Sequence, residues 1–423
     1  MIQNLAIVFS RYDMAVFTAI FIVVLLVIAT VDTYRKSAVL GIVIAGFVWW
    51  IVLVMMYPPH GPNYNIYSYN AFQTLHGKNM YDQRSVRTTE ARFTDPKYLD
   101  YTGAQHLLYV CMEFIRIGTI DRNLSAFGYR LWMLINISGI LLLIPYLYAS
   151  RGKTIEPNAA RALLFISFCP VIPFYLLIAQ WQDKFGFLLL PLLVYYLLQR
   201  KRFRTTSFLL GVIAALNGLT VFFIPAYVLY LFKVYNERRT KILIDLGSMA
   251  AGFVITMIPY FPESMAGWSH RFVRTNSDTP FWFSFYSFLP SGMYSHLVND
   301  GLMLAGCSAV TVLYGLKKIY LTDALIASVS LVVLLSPYNV IARVVPLIIF
   351  IAVLTPEMKK YDWIVLSVIM YVFVLFDNGQ TVPVIDSGNT LLFYIPVAYI
   401  TAIYIYKRRL TLFRNYPKSI NTL

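Results

Sequence analysis

The chain has 423 residues, of which 59% are hydrophobic and 13% charged, and its formal net charge is +15. A soluble domain is about 25% charged and roughly half apolar, so this composition excludes an ordinary soluble globular protein; the low charge also excludes a disordered one. A helix that crosses a bilayer needs about 20 mostly apolar residues, and thirteen of them would take up roughly 260 residues, close to the hydrophobic share of the chain.

In chain order, the opening MIQNLAIVFSRYD has no basic leader and no small-residue cleavage site, so the first apolar run reads as a retained helix. Apolar runs bounded by polar residues predict helices over 15–31, 38–57, 127–148, 159–179, 185–198, 205–216 and 219–232. They continue over 242–261, 301–316, 323–337, 343–355, 362–376 and 390–406. The expected fold class is all-α. It is a polytopic transmembrane helical bundle of about 11 to 13 spans, one integral-membrane domain over 1–423. Two passages are too long to be turns: 58–126, with an amphipathic helix over 105–117 lying at the interface, and 262–299.

Direction follows from lysine and arginine. When alternate connections are assigned to two sides, one side holds 22 of the 35 basic residues and 7 of the 20 acids. The other side holds 13 of each, so the whole net charge of +15 falls on one face. That face is expected in the cytoplasm, with the carboxyl terminus on it and the two long passages outside; the plasma membrane is the expected location. Orientation and contact with anionic membrane lipids account for this charge. No folded basic domain is left to bind nucleic acid.

Residues 205–232 break the pattern. Basic flanks, QRKRFR and KVYNERRTK, stand at both ends, yet 28 residues cannot make two full crossings at about 1.5 Å per residue. The turn signal Asn217-Gly218 falls midway. A hairpin of short helices is expected, with a cavity near Asn217, because irregular backbone inside a membrane is tolerated only against protein or water.

Cys111, Cys169 and Cys307 lie far apart with no CxxC spacing, which suggests neither a zinc site nor a disulfide framework. All five histidines fall on the outer side, and no HxH or HxxxH spacing supports a metal. The acids say more. Asp183, in the tight turn AQWQDK, lies beside Lys184 at an expected membrane edge. It reads either as half of a solvated ion pair or as a general base. Arg343, in SPYNVIARVVP, reads either as a snorkelling side chain or as a clamp for a lipid-linked phosphate. Arg271 and Arg274, in WSHRFVRTN, compete for the same role.

Three passages carry a resemblance. YSYNAF (67–72) leads to HGKNMYD (76–82); the turn AQWQDK precedes an apolar span, QRKRFR and LLGVIAALNGLTVFFIPAYVLYL; and LLSPYNVIARVVPL forms a late helix break. In their order and spacing they resemble the GT-C superfamily of integral-membrane glycosyltransferases, in particular its mannosyltransferase-like branch, over about residues 55–350. The resemblance implies transfer of a hexose, mannose favoured, from a polyprenyl-phosphate carrier to a lipid or glycan acceptor outside the cytoplasm. It also implies a catalytic carboxylate early in the first outer passage and a second acid in a later turn.

The chain departs from that pattern. Where the first acid is expected it reads Asn63-Tyr64-Asn65, and an amide takes no proton, so Asn65 is assigned to substrate binding. The base is then Asp183, which matches the later turn, or one of Asp82, Asp95 and Asp100. Asn217 stands where relatives often carry a basic residue. Arginine, lysine or a divalent cation would stabilise the leaving phosphate, and the residues call for no further cofactor. A polytopic transporter or flippase of lipid-linked sugars is the main rival. Against it, most spans carry no ionisable residue at mid-depth, and no inverted repeat is visible.

Overall fold

The structure is a computed structural model. It describes residues 11–31, 36–56, 70–77, 103–114, 127–149, 155–170, 172, 184–216, 220–236, 238–265, 268, 296–335, 341–355, 358–378 and 390–414. Among these residues every regular element is a helix. In chain order they are α1 (Arg11–Thr30), α2 (Lys36–Met56), α3 (Gly103–Phe114), α4 (Phe127–Ala149), α5 (Ile155–Phe168), α6 (Lys184–Gln199) and α7 (Phe203–Leu216). Then follow α8 (Ile224–Tyr235), α9 (Arg239–Met257), α10 (His296–Gly315), α11 (Leu321–Leu334), α12 (Ile341–Leu354), α13 (Lys360–Asn378) and α14 (Thr390–Arg414). A short helical stretch over 70–75 precedes α3.

Every apolar run read from the sequence carries a helix, and the run 105–117 carries α3. Three helices, α2, α4 and α9, are long and apolar enough to cross a membrane. Others are shorter than a crossing: α5, α7, α11 and α12 have 14 residues each and α8 has 12.

Two helices form the centre. From Ala159 to Ser167, α5 is buried on every side, and so is α12 from Val344 to Leu354. A helix apolar all round belongs inside a bundle. Around them pack α1, α2, α4 and α13 on one flank and α6, α11 and α14 on the other. The buried Arg161 of α5 donates to the Val31 carbonyl at 3.4 Å, where α1 has run out of partners for its last carbonyls.

The expected hairpin over 205–232 is present as two short helices, α7 and α8, joined through a 3-10 turn over Val221–Phe223. Residues 217–219, where the sequence places the turn signal, lie outside the described residues. Pro225 opens α8, and Asn236, in the left-handed conformation, closes it and turns the chain into α9. Helix α9 lies against α7. A Cβ on Gly211 would sit 1.9 Å from the Met249 carbonyl oxygen, and one on Gly252 would sit 2.2 Å from that of Phe208. The two backbones therefore touch, as small residues permit between closely packed helices.

The bundle has two chemically distinct ends. At one, Asp323 receives the Tyr320 N–H at 2.7 Å, capping α11, and Asp362 receives the Lys359 N–H at 2.7 Å, capping α13. Each acid also holds a cation from the end of α14. Arg408 lies 3.3 Å from Asp323 and Lys407 lies 3.2 Å from Asp362, and the Tyr404 hydroxyl donates to Asp323. Nearby connections join them: Lys233 stands 4.3 Å over the Tyr314 ring, and Tyr235 donates to Asp245 at 2.7 Å and packs on Phe203. The basic connections 200–204, 233–241, 316–320 and 359–360 thus gather at one end. Helix α9, with 19 residues, leads from there to the other end, about 28 Å away.

Candidate functional site at the end of helix α9

The far end is where the two long passages begin to meet. Helix α3 reaches it because its buried face is set by spacing: His106, Tyr109, Met112 and Glu113 point inward. Tyr109 and Met112 form a small core with Ala71 and Tyr129. Gly128, opening α4, admits the backbone of α3, since a Cβ there would fall 2.0 Å from the Met112 carbonyl oxygen. Arg130, two residues further into α4, is buried as well, and its guanidinium donates to the Met55 sulfur at 3.8 Å.

Beside this core lies a polar cluster. His106 Nε2 is 2.8 Å from the Thr74 hydroxyl, and the Tyr260 ring meets the imidazole edge-on with centroids 5.4 Å apart. Tyr260 also shares a side-chain hydrogen bond with Thr74. Three separate pieces of chain are joined here: the stretch 70–77, α3, and the turn that follows α9. Burial pushes the His106 imidazole down to about 4, so the ring is neutral at neutral pH.

A second contact ties the start of the 262–299 passage to the hairpin. Trp268 Nε1 donates to the Ala214 carbonyl at 3.0 Å, and its ring packs edge-on against Phe253. Ala214 lies in the last turn of α7, beyond the reach of the helix's own amides, so the indole caps its carbonyl.

Eight residues assigned from the sequence lie outside the described residues: Asn65, Asp82, Asp95, Asp100, Asp183, Asn217, Arg271 and Arg274. Lys184 is the first residue of α6 and Arg343 the third of α12; their backbones are described and their side chains are not. Helices α6 and α12 pack against one another, so the two elements that carry these cations are neighbours. No group of three or more His, Cys, Asp or Glu side chains gathers for a metal ion among the described residues.

Compared with known protein families, curated proteins and solved structures, the chain matches none. The chemistry must therefore be argued from the arrangement itself. Reading the sequence did not single out Asn70, Thr74, His106, Glu113, Arg130 or Tyr260. One signal was available: His106, Tyr109 and Glu113 recur at helical spacing inside an otherwise apolar helix, which marks a buried polar face. Their partners at 74 and 260 had no local signal.

Proposed function

We propose that the chain is a multi-pass membrane glycosyltransferase of the GT-C type. It moves a hexose, mannose favoured, from a polyprenyl-phosphate carrier to a lipid or glycan acceptor on the non-cytoplasmic side. The membrane part is supported by the outward faces of the helices. Leu40, Ile44, Val48 and Met56 of α2 and Leu243, Val254 and Ile255 of α9 are all more than half exposed. Soluble monomers rarely leave so much contiguous apolar surface uncovered, and lipid chains are its natural partner.

The observation that carries the enzymatic part is the meeting of α3 with the turn after α9, beside Trp268 seated on α7 and α9, at the end remote from the basic connections. A lipid-linked donor presents its sugar at a membrane surface, so its transferase needs an acid, a cation and a water-excluding cover at one such surface. The passages that begin at this end hold Asp82, Asp95 and Asp100 in the first and Arg271 and Arg274 in the second. In the reaction a carboxylate, Asp183 foremost, takes the proton of the acceptor hydroxyl as its oxygen attacks the anomeric carbon. The bond from that carbon to the phosphate oxygen breaks, and Lys184 or an arginine stabilises the departing phosphate. The test is labelled polyprenyl-phosphate mannose supplied to the purified protein in detergent. Transfer or release of the sugar supports the enzyme; tight binding without turnover supports a transporter or flippase of the same lipid and sinks the reading.

A further inference from the structure

The Thr74–His106 hydrogen bond joins positions 32 residues apart in the chain. His106 is 1% exposed, and Asn70, one turn before Thr74, is 3% exposed with its amide oxygen lacking a hydrogen-bond partner among the described residues. Apolar side chains would fill this place at lower cost, because buried imidazole, hydroxyl and amide groups must all be desolvated. Directional bonds give what apolar packing does not: one fixed orientation for the three pieces of chain.

We propose that His106 is a positioning residue for the transfer reaction. Through Thr74 and Tyr260 it fixes the first passage against the start of the second. This inference rests on the glycosyltransferase reading above. It fits the length of chain involved: residues 78–102, which carry three of the candidate acids, leave from the stretch that holds Thr74 and return in the helix that holds His106.

The test uses the purified full-length protein, labelled polyprenyl-phosphate mannose and four variants. Glutamine places its amide nitrogen near the position of Nε2 and asparagine does not, so His106→Gln is the conservative change and His106→Asn the disruptive one. Thr74→Ser and Thr74→Val form the matching pair. For Thr74→Val and His106→Asn we expect kcat to fall at least about tenfold while the donor KM stays within about twofold, the signature of lost alignment rather than lost binding. The double variant falls no further than either single, because both remove one interaction. Thr74→Ser and His106→Gln stay within about threefold of the parent.

Hydrogen–deuterium exchange over 70–77 and 103–114 is read in parallel and is expected to rise in the two disruptive variants only. Wild-type kcat in Thr74→Val, a loss confined to KM, failure of the serine and glutamine variants to rescue, or unchanged exchange each overturns the positioning role. A parent protein that transfers no sugar sinks the glycosyltransferase reading first and takes the role with it; raised exchange in that protein would still report the clasp as a structural contact.

Discussion

His106 shows how one buried side chain makes stability depend on pH. Its imidazole titrates near 4 in the folded protein against about 6.5 when released, because burial disfavours the cation. The folded-state value is the lower one, so its contribution is complete above about pH 6.5 and drains away as pH falls towards 4. The slope approaches about 1.4 kcal/mol per pH unit within that window. Thermal unfolding at pH 7.5 and 5 should therefore show a larger loss for the parent than for His106→Gln, which has nothing to titrate; equal losses would remove the histidine from the account. Asp183 is tested by function instead. Asp183→Asn keeps the shape and removes the proton acceptor, so transfer is expected to drop by at least about a hundredfold with folding intact. Near-normal turnover in that variant moves the role to Asp82, Asp95 or Asp100.

Among the elements, the pairing of α7 with α9 is the most exacting. Any side chain at Gly211 must displace the Met249 carbonyl, and any at Gly252 that of Phe208. Backbone has no rotamer to move out of the way, so separation of the helices is the only relief. Gly211→Val or Gly252→Val is expected to cost at least about 2–3 kcal/mol and to give poorly folded protein on gel filtration. Gly247→Ala, on the same helix with open space beside it, serves as the tolerated control. A Gly252→Val variant as stable as the parent would show that the two helices do not touch there. The existence of both helices was readable from length and flanking charge. Their contact was not, because a glycine in a sequence carries no record of which backbone it will face.

At the scale of the whole molecule, the last helix acts as a strap across the basic end. Asp323 caps α11, pairs with Arg408 and accepts from Tyr404, whereas Arg408 makes the ion pair and also stacks 4.1 Å over the Tyr320 ring. Asp323→Ala removes a cap as well as the contacts to α14. It is expected to destabilise by about 2 kcal/mol, against about 1 kcal/mol for Arg408→Ala, as measured by thermal unfolding in detergent. Equal effects would mean that the cap contributes nothing. Cysteine labelling in intact cells tests the layout as a whole. Cysteines placed at Lys201 and Lys317 should react from one side of the membrane, and one at Gly77 from the other. Reaction of all three from the same side would dismantle the proposed transfer site on the non-cytoplasmic side.

The sequence by itself determined that the chain is helical, where its apolar helices lie, and which connections share a charge. Those properties follow from composition and from periodicity within a few turns, and the structure places helices at every expected run. Only the tertiary structure decided that α5 and α12 form the centre, that Gly211 and Gly252 bring two backbones together, and that Thr74, His106 and Tyr260 meet. These depend on side chains from distant parts of the chain competing for the same buried space. Residue order fixes what each helix can offer; packing in three dimensions selects the partner that accepts it.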